Sequence, residues 1–452
     1  MQIFQSPGAS LAVQKSQART DALYLMALGS FAFVLLGFAI GYVRHTDLMD
    51  FRSAYLCAQC LSQKCDPYKQ SDILRLYMVG GHSLPSDASG REILDHETLN
   101  VYLPTASALT IPFALLPYRI ALLLWLSAIT SSFILTCFLM WDLASAYATV
   151  IPAALICVYM LISGSLISCG NAAGIALSLS IIAAWCFLKE RFVVAGVVCL
   201  AASLALKPHD SYLVFLFFLC CGGLYRKRAL QSLGLVCMFT VPVILWVTHT
   251  SPHWVSELHS NMLAHYTRGG VDDPGPTTAL NRGTFVITDL QAIFSFFRDE
   301  PSFYNYLSYA VCAVLLVALI VPTLRARSPQ KLICIGLAVV APLSLLPVYH
   351  RQYDARLVIL TIPACALLWS EGGRLGKFAV ALETTCLLLT GDLSWSFYRN
   401  FLFNVPAFAS GRSTQFLIVL LAFPVPLILL TMCCFYLWVY LRRVRDPDWN
   451  PK

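Results

Sequence analysis

The sequence predicts an all-α protein that crosses a membrane about twelve times. Three observations carry this reading. Of 452 residues, 58% are hydrophobic and only 12% charged, with a mean hydropathy of +0.69. A soluble domain carries roughly twice that share of charge. The apolar residues fall in repeated runs near bilayer-spanning length, not in the short alternating segments that build a β-barrel. Without water in the hydrocarbon core to satisfy the backbone, each run must be helical. Lys and Arg collect in the short loops between alternate runs, where they set topology. The net charge of +7 is thus a topology signal, and no nucleic-acid partner is expected.

Residues 1–21 are polar, hold Lys15 and Arg19, and lead into a long apolar run. A small-residue cleavage pattern is missing, so a retained first helix is expected at 22–43. A polar loop follows at 44–103, with helix-like pieces at 72–79 and 89–100. The apolar piece 106–116 is too short to cross and is punctuated by Pro112 and Pro117, so it reads as re-entrant. Spans are expected at 118–140, 147–165, 172–188, 192–206, 211–225 and 229–249. A second polar loop covers 250–304, and spans follow at 305–324, 331–348, 356–370, 376–391 and 414–441.

With the N-terminus in the cytoplasm, the inside loops hold Lys189 and Arg191, then Arg226, Lys227 and Arg228, then Arg325, Arg327 and Lys331. Arg374 and Lys377 follow, and Arg442, Arg443 and Arg445 close the series. If 106–116 crossed, every cluster from residue 189 onward would move outside, against the positive-inside rule. Both termini are therefore expected inside and both long loops outside. The chain has no internal repeat or low-complexity tract, so residues 1–452 read as one membrane domain whose loops 44–117 and 250–304 form the active-site face.

Most of the 17 cysteines sit singly in apolar runs, as at Cys137, Cys157, Cys186 and Cys199, where Cys acts as a small hydrophobe. Cys57, Cys60 and Cys65 share one polar loop, and outside the cytoplasm one disulfide among them, or free thiols, is expected ahead of a metal site. His259 and His265 lack ligand partners at useful spacing, so neither metal nor cofactor is expected.

The outer face collects the unusual residues. The first loop supplies Arg44, His45, Asp47, Asp50, Arg52, Tyr55, Asp66 and Tyr68. Gly170 and Asn171 sit at one outer turn, and Lys207, Pro208, His209 and Asp210 at the next. The second loop adds His259, His265, Arg268, Asp272, Asp273, Asn281 and Arg282, and a later turn runs from Tyr349 through His350, Arg351 and Tyr353 to Arg356. Transfer from a lipid-linked sugar phosphate needs this mixture. A carboxylate takes the acceptor's proton, cations neutralise the departing phosphate, and polar groups position the sugar.

Each residue also has a plainer reading. Asp50 suits a helix start or a pair with Arg52 as well as it suits a general base, and Asp47 is the weaker candidate. Lys207 at a helix end reads first as a snorkelling side chain. Asp66-Pro67-Tyr68 is by itself a turn signal, and Arg282 in a loop is usually solvated. His350 and Arg351 place positive charge on the outside, against the topological bias, which favours a function.

Together these segments resemble the GT-C membrane glycosyltransferases, and most closely the polyprenol-phosphate-sugar-dependent family 87. The resemblance spans residues 20–360. It rests on Asp50-Phe51 after the first helix, Tyr55, Asp66-Pro67-Tyr68, Tyr102-Leu103-Pro104 before the piece ending Leu116-Pro117, and Gly170-Asn171 ahead of Ala195-Gly196. Ala205-Leu206-Lys207-Pro208, Asn281-Arg282 and the His350–Asp354 turn complete it. The resemblance implies a GT-C type fold with helices in the outer loops and a metal-independent, inverting transfer of a sugar, commonly mannose. It implies a polyprenyl-phosphate donor, a glycolipid or glycan acceptor, and an active site facing out of a bacterial inner membrane. Asp50 takes the family's base position. Lys207, His350 and Arg351 take those facing the donor phosphate, with Arg52, Tyr55, Tyr68, Asn171, His209 and Arg282 as further substrate contacts. Family members often carry Gln beside the Asn of the Gly-Asn turn; here Ala172 and Ala173 follow.

Three other readings stay open. A secondary transporter shares the helix count, but its charges gather near the midplane and its halves often repeat. An envelope-polysaccharide polymerase or ligase also uses lipid-linked substrates at large outer loops. A non-catalytic relative of such an enzyme would keep the fold without the transfer.

Overall fold

The computed structural model describes residues 7–44, 48–268, 272–275, 287–326, 329–392 and 424–446. The architecture is all-α, and the only β pairing among the described residues is one antiparallel bridge between Ile287 and Arg351. The chain begins with α1 (Pro7–Arg44), followed by four helices where the first polar loop and the re-entrant piece were expected. These are α2 (Met49–Ser62), α3 (Gln70–Val79), α4 (Ala88–Thr98) and α5 (Pro104–Ala114). The bundle continues with α6 (Tyr118–Ala144), α7 (Val150–Leu161), the single turn α8 (Ser165–Cys169), α9 (Ala173–Lys189), α10 (Val193–Leu206), α11 (Pro208–Cys220) and α12 (Gly223–Thr250). The second polar loop holds α13 (Trp254–His265) and α14 (Leu290–Phe297). Then come α15 (Pro301–Arg325), α16 (Gln330–Leu345), a 3-10 helix (Asp354–Thr361), α17 (Ile362–Glu371), α18 (Gly373–Thr390) and α19 (Pro424–Arg445).

Six helices are long and apolar enough to cross a membrane: α1, α6, α7 with α8, α12, α15 and α19. Helices α9, α10, α11 and α16 are apolar but shorter. Large apolar side chains point outward along α12 (Met238, Val241, Leu245) and α15 (Val314, Val317, Val321). Such a belt is unstable in water and suited to lipid. In contrast, every residue of α16 from Leu332 to Leu345 is buried, as expected of a helix apolar all round at the bundle centre. It packs between α11 and α19. Gly336 permits the close approach, since a Cβ there would lie 2.2 Å from the Phe217 ring.

Two departures from the sequence expectation matter for the site. Met49–Ser62 is helical where a polar loop was expected; it starts at Leu48, a non-glycine residue at φ 51° without a side-chain cap. The expected span at 356–370 opens as the 3-10 helix, whose residues are all buried. Helix α5 is 11 residues long with Pro104 in its first turn and Pro112 inside, too short to cross. The last span is described only over 424–446, and Asp47 and His45 lie outside the described residues. A disulfide joins Cys60 to Cys65, and Cys57 keeps a free, buried thiol.

Candidate functional site

Helix α2 fixes the first wall. Phe51 packs on Trp125 (5.2 Å between rings) and Tyr118 (5.7 Å), and the Tyr55 hydroxyl donates to the Leu116 carbonyl at 2.9 Å. Arg52 pairs with Glu97 at 3.1 Å. With these side chains anchored, the helical period turns Asp50 and Ser53, three residues apart, onto one face. That face borders a cavity. Asp50 stands in the first turn, where the helix dipole favours a carboxylate. Gly170 (φ +64°) ends α8 against this helix, with a Cβ position 3.3 Å from Leu48 and 3.4 Å from Phe51, and its carbonyl accepts the Trp125 indole N–H at 2.8 Å.

The neighbouring wall grows from three corners. Asn171 Oδ1 accepts the Ala173 N–H at 2.8 Å, closing a tight local turn, and Nδ2 donates to the Tyr353 hydroxyl at 3.0 Å. Lys207 is the corner between α10 and α11, with Pro208 starting the second helix. Its ammonium lies 2.7 Å from Asp354 and 3.2 Å from Asp210, and 5.5 Å from the centre of the Tyr353 ring. Lys207 is therefore a buried ion-pair centre and does not snorkel. Asp354 also accepts the Arg351 backbone N–H at 2.8 Å, which holds the 351–354 turn closed.

The roof comes from the two polar loops. Asn261 Nδ2 on α13 donates to the carbonyls of Tyr68 (3.0 Å) and Asn100 (3.1 Å), joining the loops. Thr288 N–H donates to the His350 carbonyl at 3.0 Å. Asp272 Oδ1 accepts from the Tyr349 hydroxyl and from the Arg351 guanidinium, while Oδ2 lies 3.2 Å from His265 Nδ1. Burial works against charge on Asp272, but Arg351 and the two hydrogen-bonding side chains hold its carboxyl far below the usual range. Burial pushes the His96 imidazole below its ordinary value, so it is neutral at pH 7. Burial also opposes charge on His350, yet the Asp210 carboxylate 3.4 Å away prevails and lifts it.

These surfaces enclose a cavity of about 380 Å³. Of the residues expected from the sequence, Asp50, Asn171, Lys207, His209 and Arg351 line it. The His209 side chain is 44% exposed and lines the cavity. Arg52, Tyr55 and Tyr68 sit behind the wall; the Tyr68 hydroxyl donates to the Tyr102 carbonyl at 2.9 Å. His350 is fully buried one layer back. Arg282, with Asn281, lies outside the described residues. Sequence reasoning passed over His96 and Tyr266, which carry no spacing signal, and used Tyr353 and Asp354 only as parts of a turn. Leu99, Val101, Leu103, Leu206, Leu258 and Met262 make the apolar part of the lining.

Chemically the cavity offers one carboxylate without a described salt bridge (Asp50), amide and phenol groups that can hold hydroxyls, and two fixed cations. Two groups also have metal-ligand chemistry: His96 with His265 and Asp272, and His209 with Asp210 and His350. Comparison with known proteins gives no match to a family model, a curated protein or a solved structure.

Proposed function

We propose that the chain is an inverting GT-C type glycosyltransferase that moves a sugar, mannose in the first instance, from a polyprenyl phosphate to a glycolipid or glycan acceptor. In this reading it crosses a bacterial inner membrane about twelve times, with both termini in the cytoplasm and the cavity facing outward. One observation supports it above the others: Asp50 shares a single cavity with Asn171, Lys207, His209, Arg351 and an apolar lining. Asp50 accepts the proton of the acceptor hydroxyl as that oxygen bonds to the anomeric carbon. The bond from that carbon to the phosphate oxygen breaks, and polyprenyl phosphate leaves with the electron pair. Lys207, His209 and Arg351 face the growing phosphate charge. Asn171 and Tyr353 hold sugar hydroxyls, and the apolar lining takes the first isoprene units.

The test is transfer of labelled mannose from a short-chain polyprenyl phosphate by the purified protein in lipid, with host membrane lipids and glycans as acceptors. Label should reach an acceptor with wild type and not with Asp50→Asn, both proteins melting alike. Undiminished transfer by that variant removes Asp50 from the role. No transfer across a panel of polyprenyl-phosphate sugars moves the assignment to a transporter or a non-catalytic protein.

A further inference from the structure

The cavity wall is short of positive charge. Three carboxylates line it, Asp50, Asp272 and Asp354, against two fixed cations, Lys207 and Arg351. Both cations are already committed, Lys207 to Asp354 and Asp210, and Arg351 to Asp272. Neither cation is therefore left over for Asp50, the third carboxylate of the wall. The place for a further cation is where α4 and α13 meet beneath the roof.

We propose that His96, His265 and Asp272 form a binding site for one divalent transition-metal ion of the zinc or manganese class, open to the cavity. Their ligand atoms lie within 4.8 Å of one another, and all three residues line the cavity. Two imidazoles with one carboxylate are a ligand set suited to such ions, and the position not filled by protein is the one a reacting oxygen takes. The surroundings are built as metal ligands require. A ligating imidazole usually donates its other N–H to a carbonyl or carboxylate, which fixes ring and tautomer. His265 turns Nδ1 toward Asp272 Oδ2 and Nε2 toward the Leu99 carbonyl at 3.4 Å. Asp272 gives Oδ1 to Tyr349 and Arg351, so Oδ2 and the His265 Nδ1 that faces it at 3.2 Å are the pair that would take the ion.

His96 supplies the independent sign. Its Nδ1 is buried and has no hydrogen-bond partner among the described residues, 5.1 Å ring to ring from His265. A buried imidazole nitrogen without a partner is costly, and an ion bound through it removes that cost. The His209–Asp210–His350 group is the poorer site. Both imidazoles address the same oxygen, Asp210 Oδ1, at 3.5 and 3.4 Å, and the Lys207 ammonium already occupies the Asp210 side at 3.2 Å.

The inference does not depend on the transfer reading, and its test uses no sugar. The full-length protein in lipid nanodiscs is stripped with a chelator and titrated with Zn²⁺, then with Co²⁺, whose visible absorption reports nitrogen and oxygen ligation. We expect one saturable equivalent. His96→Ala should weaken binding at least about tenfold. Because His96 Nδ1 has no other described partner, that variant should melt like wild type or higher. His209→Ala should bind as wild type does. Asp272→Asn is the second probe, read only if it retains the wild-type melting profile. Absence of a saturable equivalent overturns the site, as does undiminished binding by His96→Ala, or loss of the ion in His209→Ala.

Discussion

The Lys207 ammonium lies 2.7 Å from the Asp354 carboxylate, joining two corners separated by 147 residues in sequence. Lys207 also holds Asp210, so one cation serves two buried acids. Lys207→Met should therefore lower stability by about 3–5 kcal/mol, since it strands both charges. Adding Asp354→Asn should restore part of that loss. Denaturant unfolding in detergent measures both, and equal losses in the single and double variants would contradict the pairing.

The tyrosines behind the wall should separate from those in it. Tyr55→Phe and Tyr68→Phe each remove a hydroxyl bonded to a backbone carbonyl, and each should cost about 1 kcal/mol of stability. Neither should change the affinity for a polyprenyl-phosphate sugar. Tyr353→Phe, in the wall, should weaken that affinity. Binding measured by calorimetry on the three variants decides it, and a weakened Tyr55→Phe would bring α2's far face into the site.

Asp289 caps α14, its carboxylate accepting the Ala292 N–H at 3.2 Å, and burial lifts its pKa to about 6 from an ordinary 3.8. The folded protein thus holds this proton more tightly than the unfolded chain does, so its contribution to stability falls as pH rises between those values. Above pH 6 the full penalty applies, up to about 3 kcal/mol. Asp289→Asn keeps the cap and removes the titration. The variant should melt above wild type at pH 7.5, with the gap closing toward pH 4; a gap constant across that range would refute the assignment.

The topology is open to a labelling test. Ser83 and Lys227 are both exposed, the first between α3 and α4 and the second near the start of α12. In intact cells Ser83→Cys should gain reaction with a membrane-impermeant maleimide over the native background, and Lys227→Cys should gain it only after permeabilisation. The reverse pattern would turn the molecule over and place the cavity in the cytoplasm.

Hydropathy made the bundle legible because lipid-facing and central helices are apolar over long runs, as in α12 and α16. Helix α2 was not legible: its Cys, Gln and Ser residues give no apolar period, and Leu48 offers no start signal. That helix decides the site, because it turns Asp50 and Ser53 inward while sending Arg52 to Glu97 and Tyr55 to Leu116. Neighbours in sequence thus part company on a 3.6-residue period. The ion pair from Lys207 to Asp210 lies one helical turn apart and was open to spacing arguments; that to Asp354 was not. His96 meets His265 only because two distant loops fold over each other, and local spacing holds no trace of that.

Asn261 works as a cross-brace. One side-chain amide ties down carbonyls at Tyr68 and Asn100, 32 positions apart in the first loop, from an anchor on the second. Removing that single nitrogen frees both attachments together, so the arch above the chamber has one point at which it can be sprung. The amide also consumes both its hydrogens there and has none left for a guest. What passes beneath is met instead by the ammonium, guanidinium, imidazole, phenol and carboxylate groups of the lining, under a roof that this one amide helps to hold in place.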